Sequence, residues 1–361
     1  MKAVILVGGL GTRLRPLSIN MPKAMMPVIN TPFLEYVIRR LSRHNIKQVI
    51  LAISHLPQPI KDYLGTGSRF GIRLNYILEE TPLGTAGPVK NAEKLLDEAF
   101  LVLNGDIFTD LDLTAMMDLH NQRESKITIA LTPVDNPTSY GLIETDTQGR
   151  VSRFLEKPSW EQVTTNMINA GTYILEPDVL ASIPPQTNFS FERQVFPPLL
   201  ERGEPIYAFP SSCYWMDIGT PEKYHRLNRD LLSGRSNQYS FNSSNRVLIG
   251  EQGNSHPTAH ITGPAVVGNN CNIGQEVRLS GPLVIGSDCQ ILEETIVEDS
   301  IIWDAVETGP KTIVRRSIIA NNCRLGAGSV IEDTVISDNV TIAAGYKTKP
   351  GSKIWPDTLV S

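Results

Sequence analysis

The amino-acid sequence predicts an α/β chain in two parts. A doubly wound, mostly parallel sheet covers residues 1–232, and a parallel β-helix covers 246–345 after a linker at 233–245. Three observations predict this. Short apolar runs alternate with helical patterns through the first part, apolar residues recur every six positions through the second, and the Ser/Asn-rich run between them carries neither period. At 361 residues the chain also exceeds what one core usually serves.

The first strand, Val4–Val7, feeds Gly8-Gly9-Leu10-Gly11-Thr12-Arg13-Leu14-Arg15-Pro16, and Pro22-Lys23 follows. Glycines let a backbone close on an anion without a Cβ in the way, while Arg13, Arg15 and Lys23 bring the charge that three phosphates need. Gly-Gly turns after strands also occur in α/β proteins that hold no ligand. The glycine spacing fits neither the dinucleotide fingerprint nor the Walker A loop. Helical spacing at 33–41, a strand at 48–53, a helix at 59–64 and a strand at 74–78 continue the alternation, which argues for a sheet covered on both faces with ligands at the carboxyl ends of its strands. Glu79-Glu80-Thr81-Pro82-Leu83-Gly84-Thr85-Ala86-Gly87-Pro88 ends that last strand, where small residues let a flat base lie on the backbone and an ordinary turn explains Gly84-Thr85 equally well.

Phe100–Leu103 then leads into Asn104-Gly105-Asp106, whose acid is either a turn cap or a ligand for magnesium, which binds nucleotides through one or two carboxylates plus phosphate oxygens. Strands follow at 126–131 and from Gly141, where the missing side chain leaves room for a sugar ring. Glu156-Lys157-Pro158 is either an exposed charged turn or a pair of groups for sugar hydroxyls and a phosphate. Asn169-Ala170-Gly171-Thr172 and Tyr214-Trp215-Met216-Asp217-Ile218-Gly219 come next, before a helix at 221–232 with its arginines outward. Asp217 stands between apolar residues, where an isolated charge is costly and a metal would satisfy it.

In this order, Gly-Gly-x-Gly-Thr-Arg-Leu-x-Pro, Pro-Lys, Tyr-Gly, Glu-Lys-Pro and Asn-Ala-Gly make the first 232 residues resemble the sugar-nucleotide pyrophosphorylases, nucleotidyltransferases that activate sugar 1-phosphates. The resemblance implies a Rossmann-like domain in which Leu6, Gly8, Gly9, Gly11, Thr12, Arg13, Lys23, Glu79, Gly84 and Asp106 hold a nucleoside triphosphate. It further implies that Gly141, Glu156, Lys157, Asn169 and Thr172 hold the sugar phosphate, and that Asp106 and Asp217 share a catalytic Mg2+. Glu79, five before Gly84, is carried over as the base reader. Guanine offers two adjacent donors that suit a carboxylate, which tilts the reading towards GTP and the mannose-1-phosphate guanylyltransferases. Uridylyl-, thymidylyl- and adenylyltransferases acting on glucose 1-phosphate, other guanylyltransferases, and an inactive ligand-sensing subunit stay open.

In the second part Ile261, Val267, Ile273, Leu279, Ile285, Ile291, Val297 and Trp303 are spaced by six, and Ile313, Ile319, Leu325 and Ile331 resume the step after a slip of four. Three such units make one triangular coil of about 18 residues. Cys271 and Cys289 are then stacked core thiols. The domain resembles the hexapeptide-repeat, left-handed β-helix tails of some pyrophosphorylases. Related acyltransferases use a histidine base, but His256 and His260 lie at the first coil without an inserted loop. Residues 346–361 are expected to be an irregular cap.

Bulk properties set outer bounds. A net charge of −5 gives no global pull towards nucleic acid or anionic membrane, and the amino end carries neither a signal-peptide core nor a span, so a cytoplasmic protein is expected. The four cysteines match no zinc spacing. Hexapeptide coils often serve as assembly surfaces, so a homo-oligomer is expected. A monomer mass by light scattering at micromolar concentration would contradict it.

Overall fold

The structure, a computed structural model, describes residues 1–241 and 246–361. Nine strands form the main sheet: β1 (Lys2–Val7), β2 (Gln48–Ile53), β3 (Arg73–Leu78), β4 (Phe100–Asn104), β5 (Ile127–Pro133), β6 (Gly141–Thr145), β7 (Val151–Glu156), β8 (Met167–Leu175) and β9 (Ile206–Pro210). Their order is β7-β6-β8-β4-β1-β2-β3, with β5 between β8 and β9. The order 3-2-1-4 is parallel throughout, as the strand–helix alternation predicts. Beyond β4 the sheet is mixed: β8 runs antiparallel to β4, β5 and β6, so the mostly parallel expectation holds for one half only. The runs of Val, Ile and Leu in β1, β2 and β4 are buried on both faces, which is what a covered parallel sheet requires. Helix Phe33–Arg43 buries Phe33, Leu34, Val37, Ile38 and Leu41 along one stripe.

Two compact units emerge: Met1–Gly9 with Leu34–Trp215, and Leu10–Phe33 with Met216–Ser361. The glycine-and-arginine loop after Gly9 and the helix Pro221–Leu232, expected with the sheet, thus belong to the unit that contains the coils. That helix starts where predicted, with Thr220 Oγ1 accepting from the Lys223 N–H. The predicted linker continues from its end, and residues 242–245 of it lie outside the described residues.

The coils present three all-parallel faces of seven, seven and five strands, the parallel β-helix that the six-residue period predicts and the left-handed form that the resemblance implies. Val267 pairs with Ile285, 18 residues on, but Ile285 pairs with Ile302 and Val297 with Val314, 17 residues on. One side of each middle coil is five residues long. The inward positions are therefore Ile302 and Val314, where a strict six-step places Trp303 and Ile313. Residues 346–361 are not irregular: Lys353–Ile354 and Leu359–Val360 add a last strand to two faces. Cys271, Cys289 and Cys323 are buried free thiols in the coil core, each donating to a backbone carbonyl, Gly286, Trp303 and Ser337 respectively.

Candidate active site

Leu6, Gly8, Gly9, Glu79, Gly84, Asp106, Gly141, Glu156, Lys157, Asn169 and Thr172 belong to the sheet unit, and Gly11, Thr12, Arg13, Lys23 and Asp217 to the coil unit. At the carboxyl end of β1, Gly8 and Glu79 come together. A Cβ on Gly8 would stand 3.1 Å from Glu79 Oε1, so the glycine lets this carboxylate pack closely against the turn. Ser54 Oγ donates to the Gly8 carbonyl (2.5 Å) and fixes the turn. Glu79 is 7 % exposed, and its Oε1 is buried with no hydrogen-bond partner. Burial raises its pKa above the ordinary carboxylate value, against a backbone hydrogen bond from Leu83 that lowers it. An unpaired buried acceptor costs on the order of 1–3 kcal/mol, more when charged. A ligand donor would recover it.

The segment after Glu79 is clamped from behind. Ala86 N–H donates to Phe189 O (2.8 Å), Phe189 N–H to Leu83 O (3.0 Å) and Asn188 Nδ2 to Pro82 O (2.9 Å), while Gly84 takes a left-handed φ of 75°. Asp106, half-buried, follows β4 through Gly105, whose N–H is held by Leu6 O at 2.9 Å.

Across the antiparallel half, Gly141 faces Glu156, and a Cβ there would lie 3.0 Å from Glu156 Oε2. Burial first, then the neighbouring Glu192, raises the Glu156 pKa. Lys157 takes a left-handed φ of 50° with its N–H on Tyr140 O (2.9 Å). Asn169 is held at both ends: Oδ1 accepts from Gly171 N–H (2.9 Å) and Nδ2 donates to Tyr173 OH (2.7 Å). Thr172 is buried in β8 opposite Leu103. Glu192, which the sequence does not single out, ties these segments together. It accepts from Tyr173 OH (3.0 Å), Thr85 Oγ1 (2.7 Å) and Ser190 Oγ (2.6 Å), joining the Gly84-Thr85 turn to the Asn169 strand.

In the coil unit, Gly11 has φ 60° and its carbonyl accepts from Ser18 Oγ (2.7 Å) and Leu14 N–H (2.8 Å), while Lys23 Cβ lies 3.5 Å from where a Gly11 Cβ would be. Thr12 and Arg13 sit on a single exposed turn. A Cβ on Gly219 would meet Asp217 Oδ1 at 2.7 Å and Arg13 Nη2 at 3.0 Å, so this glycine admits Arg13 and Asp217 to the same spot. Asp217 is nearly buried. Its Oδ1 accepts from Gly219 N–H (3.0 Å), and its Oδ2 accepts from the Lys223 ammonium, a second residue that sequence reading missed.

Carboxylate oxygens are hard donors that suit a divalent metal ion, and Asp217 fits such a ligand once the Lys223 ammonium leaves its Oδ2. Among the described residues no group of three or more His, Cys, Asp or Glu is gathered for a metal.

A family model described as nucleotidyl transferase matches residues 2–234. The chain belongs to that family. A second model, the GMPPB C-terminal domain, matches residues 261–357 of this nucleotidyl transferase. A mannose-1-phosphate guanylyltransferase of Mycobacterium tuberculosis is 38 % identical over 275 residues, 75 % of this chain and 76 % of its own. A UTP–glucose-1-phosphate uridylyltransferase of Synechocystis is 31 % identical over 346 residues, 86 % of this chain and 84 % of its own. Among solved structures, HddC from Yersinia pseudotuberculosis, crystallised also with GMP-PN, is 33 % identical, with a TM-score of 0.55 over 63 % of this chain and 97 % of that one. Among the described residues no helix of the nucleotidyl transferase is long and apolar enough to cross a membrane.

Proposed function

We propose that this nucleotidyl transferase makes GDP-mannose and pyrophosphate from GTP and mannose 1-phosphate, as a cytoplasmic homo-oligomer. The observation that carries the base assignment is the partnerless Glu79 Oε1 beside Gly8. A buried carboxylate with one oxygen left unpartnered suits a base edge with adjacent donors, the pattern of guanine. The Mycobacterium tuberculosis relative, by its name, supports the same substrate pair.

The sugar phosphate oxygen attacks the α-phosphorus in line and pyrophosphate leaves opposite, so no protein nucleophile is required and catalysis is positioning plus charge neutralisation. Arg13 and the backbone of Gly8, Gly9, Gly11 and Thr12 hold the outer phosphates, and Lys23 offsets charge at the reacting end. Lys157 steers the incoming phosphate, while Glu156 and Asn169 accept and donate to sugar hydroxyls. Asp106 and Asp217 would be the residues that hold magnesium, which would supply Lewis-acid charge stabilisation when bound. At Asp217 that role requires Lys223 to give up Oδ2.

The second reading is a uridylyltransferase for glucose 1-phosphate, favoured by the Synechocystis relative's coverage of 86 % of this chain. Pyrophosphate release across the four NTPs with mannose 1-phosphate and glucose 1-phosphate separates them. The expected result is fastest release with GTP and mannose 1-phosphate. A preference for UTP would overturn the base assignment, and silence in every combination would favour a sensing subunit.

A further inference from the structure

The loop that carries Arg13 and Lys23 is built as part of the coil unit, and its fastenings there are specific. Its polar side, Thr12, Arg13 and Arg15, is exposed, while Leu14, Leu17, Met26 and Val28 are buried. Ser337 Oγ, fully buried in the coils, donates to Pro16 O (3.0 Å), and Asn20 Nδ2 reaches Asp338 Oδ2 (3.4 Å), a carboxylate whose other oxygen is held by Asn321. Asn30 Nδ2 donates to Ile285 O (2.7 Å) on an inner strand of the first face. Trp303, one residue past the five-residue side of its coil, donates its indole N–H to Tyr224 OH (3.0 Å), and Tyr224 in turn donates to Pro27 O. Asn228 Oδ1 accepts from Ile29 N–H (2.9 Å).

Of these bonds, those made by residues of 16–30 reach partners about 200 to 320 positions away, on the coils or on the helix Pro221–Leu232, and the Trp303–Tyr224 bond joins that helix to the coils. We infer that the β-helix is the support that holds the phosphate-binding loop in shape, with Ser337, Trp303 and the Ile285 carbonyl as positioning groups. The inference rests on Arg13 and Lys23 meeting the triphosphate. Held groups bind without first losing conformational freedom, so a loosened loop weakens NTP capture. The register shift that turns Trp303 out of the coil core is then a fastening, since the indole N–H would have no partner inside an apolar stack.

The test uses the full-length chain and two variants. Asn30→Gly permits the left-handed backbone, φ 58°, and deletes the side-chain bond to Ile285 O. Trp303→Phe keeps most of the volume and deletes the indole donor. Hydrogen exchange is followed in peptides from 10–33, from the coils and from the main sheet, alongside NTP and sugar phosphate kinetics. The expected result is exchange about three- to tenfold faster in 10–33 alone, the range for loss of one hydrogen bond, with KM for NTP raised by a similar factor and KM for the sugar phosphate unchanged. Exchange in 10–33 equal to wild type in both variants would overturn the inference, as would faster exchange with an unchanged KM for NTP. Arg13→Ala serves as the reference. If it leaves KM for NTP unchanged, the assigned phosphate role fails, while the exchange result still reports on the support.

Discussion

Asp217→Asn is expected to lower kcat by about 10²–10³ at saturating magnesium, while KM for either substrate moves by no more than a few fold. The amide can still accept from Gly219 N–H, the bond that shapes the turn, so the local backbone should persist. What disappears is the charge that Lys223 balances in this structure and that a divalent ion is proposed to use. Two readings of Asp217 make opposite statements about its partner. If the acid matters because it pairs with Lys223, then Lys223→Met should reproduce the loss. If it matters as a metal ligand, Lys223→Met should retain turnover and bind Mn2+ more tightly, because the ion no longer displaces an ammonium. Asp106→Asn should match Asp217→Asn in magnitude. Steady-state kinetics of the three variants, with Mn2+ binding by calorimetry, decide the matter. Near-normal turnover in Asp217→Asn would remove the metal assignment.

What the sequence makes legible is local. Val4–Val7 ending in Gly8-Gly9, Gln48–Ile53, and the helix over Pro221–Leu232 follow from period and punctuation within a dozen residues, and the structure has them at those places. The end of the strand before Glu79 is legible too, because the turn residues Thr81-Pro82-Leu83-Gly84 close Arg73–Leu78 within a few positions. The mixed half of the sheet is not legible. β8 pairs with β4, β5 and β6, and nothing within Met167–Leu175 states which neighbours it will have. Glu192 is hidden for the same reason, being 107 residues from the Thr85 hydroxyl it accepts from.

The β-helix shows a subtler limit. A six-residue step is visible while every side has six residues, but one five-residue side per coil shifts the phase, and a large apolar residue adjacent to the true position, Trp303 beside Ile302, then mimics the repeat. Membership of the Leu10–Phe33 loop in the coil unit was beyond any local signal, since each fastening is a single bond between distant residues.

The largest change in specificity is expected from Glu79→Gln. A carboxylate accepting from both donors of guanine makes two charge-assisted hydrogen bonds, each worth about 1.5–3 kcal/mol. The glutamine retains one acceptor and turns an N–H2 towards the remaining donor. GTP kcat/KM should therefore fall by about 10² or more, while UTP, whose edge offers one donor between acceptors, should lose nothing or gain. In the ligand-free protein the variant removes a charge that burial disfavours, so the fold should be no less stable at neutral pH.

pH supplies an independent check. Burial raises the Glu79 pKa, so in the free protein the carboxyl takes up a proton at a higher pH than an ordinary glutamate. For folding, a raised carboxyl pKa contributes stability that is fully present below the unfolded-state value and is lost as pH rises through the folded one. For guanine the dependence is reversed: the ionised form accepts both donors, so KM for GTP should climb as pH falls through the raised value. Glu79→Gln, which has nothing to titrate there, should give a flat GTP KM over the same interval. An unaltered GTP preference in the variant, or a pH dependence identical to that of wild type, would place the base against some other group.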